Sequence, residues 1–118
     1  MSPSCPDESN SSQAIVMAVT SLGDSQAAES LATALVERKL AACCQIVGPI
    51  KSIYRWQGKL EHSAEYQVWI KTRRDHWNDL ELAVHELHPY DVPELLLIEV
   101  TAASEPYAKW LHEQLDVK

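Results

Sequence analysis

Glycine is scarce in this chain, with three in 118 residues, and Gly23, Gly48 and Gly58 stand far apart. No loop is rich enough in glycine to cradle a phosphate, which excludes an enzyme built around one. Cysteine is equally sparse: Cys5 near the start and the adjacent pair Cys43-Cys44. No Cys-x-x-Cys occurs, and Thr20 to Asp24, where a soft-metal transfer domain of this size would carry one, has no cysteine. Neighbouring side chains on a strand point to opposite faces, so Cys43 and Cys44 do not bridge. An odd count without a disulfide framework points to a reducing compartment, hence to the cytoplasm. Basic residues are outnumbered, 10 Lys and Arg against 17 Asp and Glu, for a formal net charge of -7. Phosphate repels such a surface, which argues against nucleic acid or an anionic membrane as partner. No apolar run approaches the ~20 residues of a membrane helix. Residues 1–12, MSPSCPDESNSS, lack the basic start and apolar centre of a signal peptide, and read as a disordered polar tail before a single domain over 13–118.

What is present centres on residues 42–72. Two runs rich in β-branched and aromatic residues flank Gln57-Gly58, where Gly58 can supply the positive φ of a tight hairpin turn. Tyr66, Val68 and Ile70 alternate with Gln67, Trp69 and Lys71, the period of a half-buried strand. Gly48-Pro49 interrupts the other arm, and because proline cannot donate to a ladder, a bulge is expected there. Arms of about 13–15 residues would run roughly 45 Å at ~3.3 Å per residue. A compact domain of this size has a radius of gyration of only ~13–14 Å, so the hairpin must overhang it. An overhanging ribbon carrying Ile53, Tyr54, Trp56 and Trp69 needs a cover, and another copy of the chain is the expected one.

Around the hairpin, residues 13–20 read as a buried central strand, followed by a turn over Ser21–Asp24. Asp24 or Ser25 caps a helix with Ala28, Leu31, Ala34 and Leu35 on its apolar stripe. Thr72-x-x-Asp75 has the form of a capping box before a helix bearing Trp77, Leu80, Val84 and Leu87, ended by Pro89. Residues 94–101 form a last strand, and Ser104-Glu105-Pro106 opens a helix that buries Tyr107, Trp110, Leu111 and Leu115. The class is α+β: a ferredoxin-like βαββαβ sandwich with a long β2–β3 hairpin and an extra C-terminal helix.

Ferredoxin-like domains do unrelated things, so function must come from residues. An RNA-recognition surface would need aromatics stacked on two central strands with a basic surround; here the first and last strands are aliphatic and the net charge is acidic. Nucleophilic catalysis by Cys43 or Cys44 lacks an activating base nearby in sequence, and a packed thiol is the simpler reading. Glu81-x-x-x-His85-x-x-His88 places a carboxylate and two imidazoles along one edge of the second helix, a donor set suited to copper, zinc or nickel. Tyr54 and Trp56 could wall a small-ligand pocket, with Glu61, Lys71 and Tyr90 adding polar handles, or could serve as a subunit contact.

An ordered series of blocks resembles the CutA family of divalent-cation tolerance proteins. It runs Leu40-Ala41-Ala42-Cys43, then residues 52–61 (SIYRWQGKLE), Ile70-Lys71-Thr72, residues 88–94 (HPYDVPE), and Tyr107-x-x-Trp110-Leu111. The resemblance spans about residues 13–115. It implies a ferredoxin-like subunit in a tight homotrimer, similar in architecture to the PII signalling proteins. It also implies a cytoplasmic location, a link to copper and other divalent cations, and no assigned reaction. The family's proposed copper ligands are a cysteine ending the first strand and two consecutive histidines before Pro-Tyr. Thr20, Leu87 and His88 hold those positions here, so His88 alone carries over. Two functions follow from the resemblance and the residues together. The first is a non-enzymatic, metal-responsive homotrimer that binds Cu2+ or another divalent cation; the second is a PII-like sensor of a small ligand between subunits.

Overall fold

The computed structural model describes residues 11–116. The elements are β1 (Ile15–Leu22), α1 (Ser25–Glu37), β2 (Cys43–Trp56) and β3 (Lys59–Arg73), then a 3-10 turn (Arg74–His76), α2 (Trp77–Leu87), β4 (Leu96–Glu99) and α3 (Glu105–Asp116). One antiparallel sheet has the order β2-β3-β1-β4. With α1 and α2 on one face this is the expected ferredoxin-like α+β sandwich. Most of the expected polar tail, Cys5 included, lies outside the described residues; at Ser12 the chain is already fastened, its carbonyl accepting from the Asp75 amide at 2.7 Å. Among the described residues no helix is long and apolar enough to cross a membrane.

The hairpin follows its sequence signals. Gln57 and Gly58 both have positive φ, 50° and 78°, as a two-residue turn between twisted strands requires. The β2–β3 register shifts between Val47 and Ile50, at the Gly48-Pro49 bulge. The molecule measures 51 × 33 × 22 Å with a radius of gyration of 15.8 Å, above the ~13–14 Å of a compact chain this long. The ribbon does overhang its own domain.

Asp24 caps α1, its carboxylate accepting from the Ala27 amide at 2.8 Å. Lys39 closes the helix in the left-handed region (φ 61°), which lets the Leu40 amide reach the Leu35 carbonyl at 3.0 Å. Ala28, Leu31, Ala32 and Leu35 are buried; Ala32 takes the stripe position expected of Ala34. They pack with Leu80, Ala83 and Val84 of α2 on Ala18, Leu22, Val68 and Ile70 of the sheet.

Four sequence readings are corrected. β1 continues through Ser21 and Leu22, which pair with Gln67 and Tyr66, so the turn begins two residues later than expected. Thr72 opens no capping box: it stays in β3, fully buried, with its hydroxyl donating to the Leu40 carbonyl at 2.7 Å. Asp75 instead accepts from the buried Arg73 guanidinium, which also pairs with Asp116 of α3. β4 is only four residues long, because it pairs with β1 from Val16 to Val19 and has no partner beyond. α3 buries Leu111 and Leu115 against Ala42 and Ile15, while Tyr107 and Trp110 remain 38% and 40% exposed.

One defect in the core carries a prediction. Thr20 is fully buried on the helix-facing side of β1, and its hydroxyl has no hydrogen-bond partner among the described residues. Valine has nearly the same shape without the unpaired oxygen, so Thr20→Val should raise stability by about 1–2 kcal/mol, read from urea midpoints. An unchanged or lowered midpoint would show that the hydroxyl is satisfied in solution.

Candidate functional site on the uncovered face of the sheet

The pleat sorts β3 into two faces. Val68, Ile70 and Thr72 are buried beneath the helices, while Lys71, Trp69 and Gln67 point the other way with Cys43, Gln45 and Val47 of β2 beside them. α3 covers one end of that second face, and further along it Val19 and Ser21 are also buried, with the Ser21 hydroxyl donating to Glu94 of the loop after α2 at 3.3 Å. Leu96 and Ile98 of β4 share it through their pairing with Val19 and Met17, and they are 55% and 38% exposed. On the overhanging ribbon the same face continues as Glu65, Ser63 and Glu61, opposite Ile50, Ser52 and Tyr54.

Of the five expected pocket residues, Tyr54 and Glu61 sit opposite each other on this face and Tyr90 reaches it at Glu65. The Ser63 hydroxyl donates to the Tyr54 hydroxyl at 3.4 Å, and the Tyr90 hydroxyl donates to the Glu65 carboxylate at 3.5 Å. Burial first, and then the Glu65 charge, raise the Tyr90 phenol above its ordinary range. Gly23 makes room for this ring, since a Cβ there would lie 3.2 Å from the Tyr90 hydroxyl. Glu61 sits across from Tyr54 near the ribbon tip, and Trp56, at the tip, is 60% exposed. Lys71 is elsewhere: ten positions along β3 from Glu61, about 33 Å at ~3.3 Å per residue. Its ammonium lies 5.5 Å from the centroid of the Tyr107 ring, which is itself 5.6 Å from the Trp110 ring. No pocket within one copy can hold all five. Sequence reasoning missed Glu65 and Ser63; polar residues alternating opposite Tyr54 in the register were the available signal.

The expected metal ligands also separate. Among the described residues no group of three His, Cys, Asp or Glu side chains is placed to hold a metal ion, Glu81, His85 and His88 included. The Pro89 restriction turns His88 out of α2, and its backbone is extended (φ -80°, ψ 138°). Its ring is 6% exposed, with Nε2 at 2.8 Å from the Ser21 carbonyl and Nδ1 accepting the Tyr90 amide at 3.1 Å. Since Nδ1 accepts, Nε2 carries the proton and donates to Ser21. Both nitrogens are spent on main chain, and a neutral imidazole bonded this way has no lone pair left for a metal. His85 is exposed and Glu81 partly so, both available to solvent.

Burial holds the His88 pKa below its ordinary 6.5, a trend opposed by the bond to Ser21 and the Glu65 carboxylate and aided by His85. A second proton would have to enter at Nδ1, facing the Tyr90 N–H. The unfolded chain therefore binds this proton more readily: the contribution is complete above 6.5 and is lost as pH falls below that value. Urea midpoints should decline as pH falls below about 6.5, and less so in His88→Gln. An equal decline in both proteins would remove His88 from the account.

The other titratable candidate is inert. Cys44 packs against the core, and burial, then the neighbouring Cys43, push its thiol up to about 12.

Comparison with known proteins gives a consistent picture. The family model described as CutA1 divalent ion tolerance protein matches residues 16–114. A divalent-cation tolerance protein CutA of Pyrococcus horikoshii is 36% identical over 100 residues, covering 85% of this chain and 97% of that protein. The structure of CutA from Synechococcus elongatus superposes with a TM-score of 0.85 at 35% identity, over 90% of this chain and 93% of the other. A structure described as the periplasmic divalent cation tolerance protein CutA from Archaeoglobus fulgidus gives 0.83 at 29% identity, over 86% and 99%.

Proposed function

The chain belongs to the CutA1 divalent ion tolerance family, and on that premise we propose that it serves divalent-cation tolerance as a non-enzymatic, cytoplasmic homotrimer that responds to Cu2+. The observation that carries the assembly is the uncovered sheet face with its overhanging ribbon, which leaves Tyr54, Trp56, Leu96, Ile98, Tyr107 and Trp110 between 38% and 60% exposed. So much aromatic and aliphatic surface on a chain of 118 residues marks an interface. Two findings support a role without catalysis: burial keeps the Cys44 thiol protonated, and both nitrogens of His88 are engaged by main chain. Of the candidate metal ligands, His85 and Glu81 are those free to meet a cation at the surface.

The test is made in cells. Removing the protein should lower tolerance to added Cu2+; the natural chain should restore it, and Trp56→Asp, which puts a charge on the interface, should not. Unchanged tolerance after removal would overturn the proposal. The proximity of Tyr54 and Tyr90 around Glu65 favours one second reading, a PII-like sensor of a small ligand between subunits. Calorimetric titration separates the two: heat with nucleotides and none with Cu2+ supports the sensor.

A further inference from the structure

We infer that α3 is a strap that opens and closes on the sheet independently of the rest of the domain, and that the buried Arg73 guanidinium is the latch holding it shut. The apolar packing divides the molecule at this point. α1, α2 and the sheet share one buried cluster, to which α3 adds no residue among those described. Leu111 and Leu115 sit instead in a small cluster of their own, with Ala42 and the partly buried Ile15. Residues 100–104, between β4 and α3, form neither helix nor strand, so the helix can swing on that tether without pulling β4 from β1. An element with so few buried apolar partners belongs to the low-stability end of a native structure.

Two leucines are a small anchor, and the polar contact in the last turn of the helix decides whether it stays. Arg73, 6% exposed at the end of β3, donates from Nε and Nη2 to the Asp75 carboxylate at 3.1 and 3.2 Å. Its Nη1 pairs with the Asp116 carboxylate at 3.0 Å and faces His112 Nδ1 at 3.4 Å. A guanidinium only donates, so the imidazole accepts there. Asp116 makes the only ion pair of α3 among the described residues. This division of the fork makes the latch selective. Without Asp116, Arg73 keeps both bonds to Asp75 and the end of β3 stays balanced. The cost of a buried guanidinium short of one partner falls on the closed position of α3 alone. Open, the strap uncovers Ala42, Ile15 and the Lys71 ammonium now held against the Tyr107 ring, which together form the end of the sheet's second face.

Amide hydrogen exchange on the full chain at neutral pH, read residue by residue, tests this. The central amides of α3, residues 109–113, should exchange about tenfold or more faster than those of β1 and β3. Asp116→Asn keeps the shape of the side chain and removes its charge. It should speed exchange at 109–113 by a further tenfold or so and leave residues 15–22 and 66–73 unchanged. Glu113→Gln removes an exposed charge of the same helix that meets no guanidinium among the described residues, and should change nothing. Acetylation of the Lys71 amine should quicken in Asp116→Asn and not in Glu113→Gln. If 109–113 exchange at the rate of the strands, α3 opens only with the whole domain and is no strap. An equal rise throughout the chain in Asp116→Asn, or as large a rise at 109–113 in Glu113→Gln, would show that Arg73 is not the latch.

Discussion

Replacing His88 by alanine is expected to lower the unfolding free energy by about 2–4 kcal/mol and to leave Cu2+ affinity unchanged. The side chain is 6% exposed and joins two segments far apart in sequence, the end of β1 and the loop after α2. Alanine leaves the Tyr90 amide without its acceptor, removes a donor from the Ser21 carbonyl, and opens a space beside the Tyr90 ring, which now lies tilted by 58° against the imidazole with centroids 4.8 Å apart. A buried donor left unmade costs about 1–3 kcal/mol, and the vacated volume adds to it. A metal ligand would behave in the opposite way: removing it would cost affinity and little stability. Denaturant titration and copper calorimetry on the same variant therefore distinguish a main-chain clamp from a ligand. A large loss of affinity with stability intact would return His88 to the metal.

Gly48→Ala should be at least as damaging, at roughly 3 kcal/mol. A Cβ there would lie 2.6 Å from Tyr66 Cδ2, 3.0 Å from the Glu65 carbonyl oxygen and 3.1 Å from Tyr66 Cα. Two of those three atoms are backbone in the middle of the ribbon and cannot move aside without breaking the β2–β3 ladder. Gly58 is the control. Among the described residues nothing lies within 4 Å of a Cβ at that position, so the cost of Gly58→Ala is confined to its φ of 78°. Alanine there should therefore cost about 1–2 kcal/mol, below the loss at Gly48. Equal losses at the two sites would mean that the bulge relaxes and the close approach at Tyr66 is not maintained.

Features set by local pattern were legible in the sequence, and features set by distant partners were not. Alternation along residues 66–71, the Gln57-Gly58 turn and the Gly48-Pro49 break located the ribbon and its bulge, because each acts within a few residues. The capping-box reading failed at Thr72 because a tertiary partner, the Leu40 carbonyl, holds the hydroxyl and keeps the residue in the sheet. His88 was legible as a candidate ligand and illegible as a clamp, since its partner Ser21 lies 67 positions away. Glu65 and Ser63 escaped notice because lone polar residues in a strand form no motif. Only the register shows that they share a face with Tyr54 and Glu61. Lys71 was grouped with Tyr54 on chemistry alone; the register puts Glu61, not Lys71, across from Tyr54, with ten positions of β3 between the two.

The mass of the protein in solution tests the proposed assembly most directly. Light scattering at micromolar concentration should return three times the 13.3 kDa subunit mass. A stable species of 13.3 kDa would mean that the ribbon and the sheet face remain uncovered in solution, and would contradict the account.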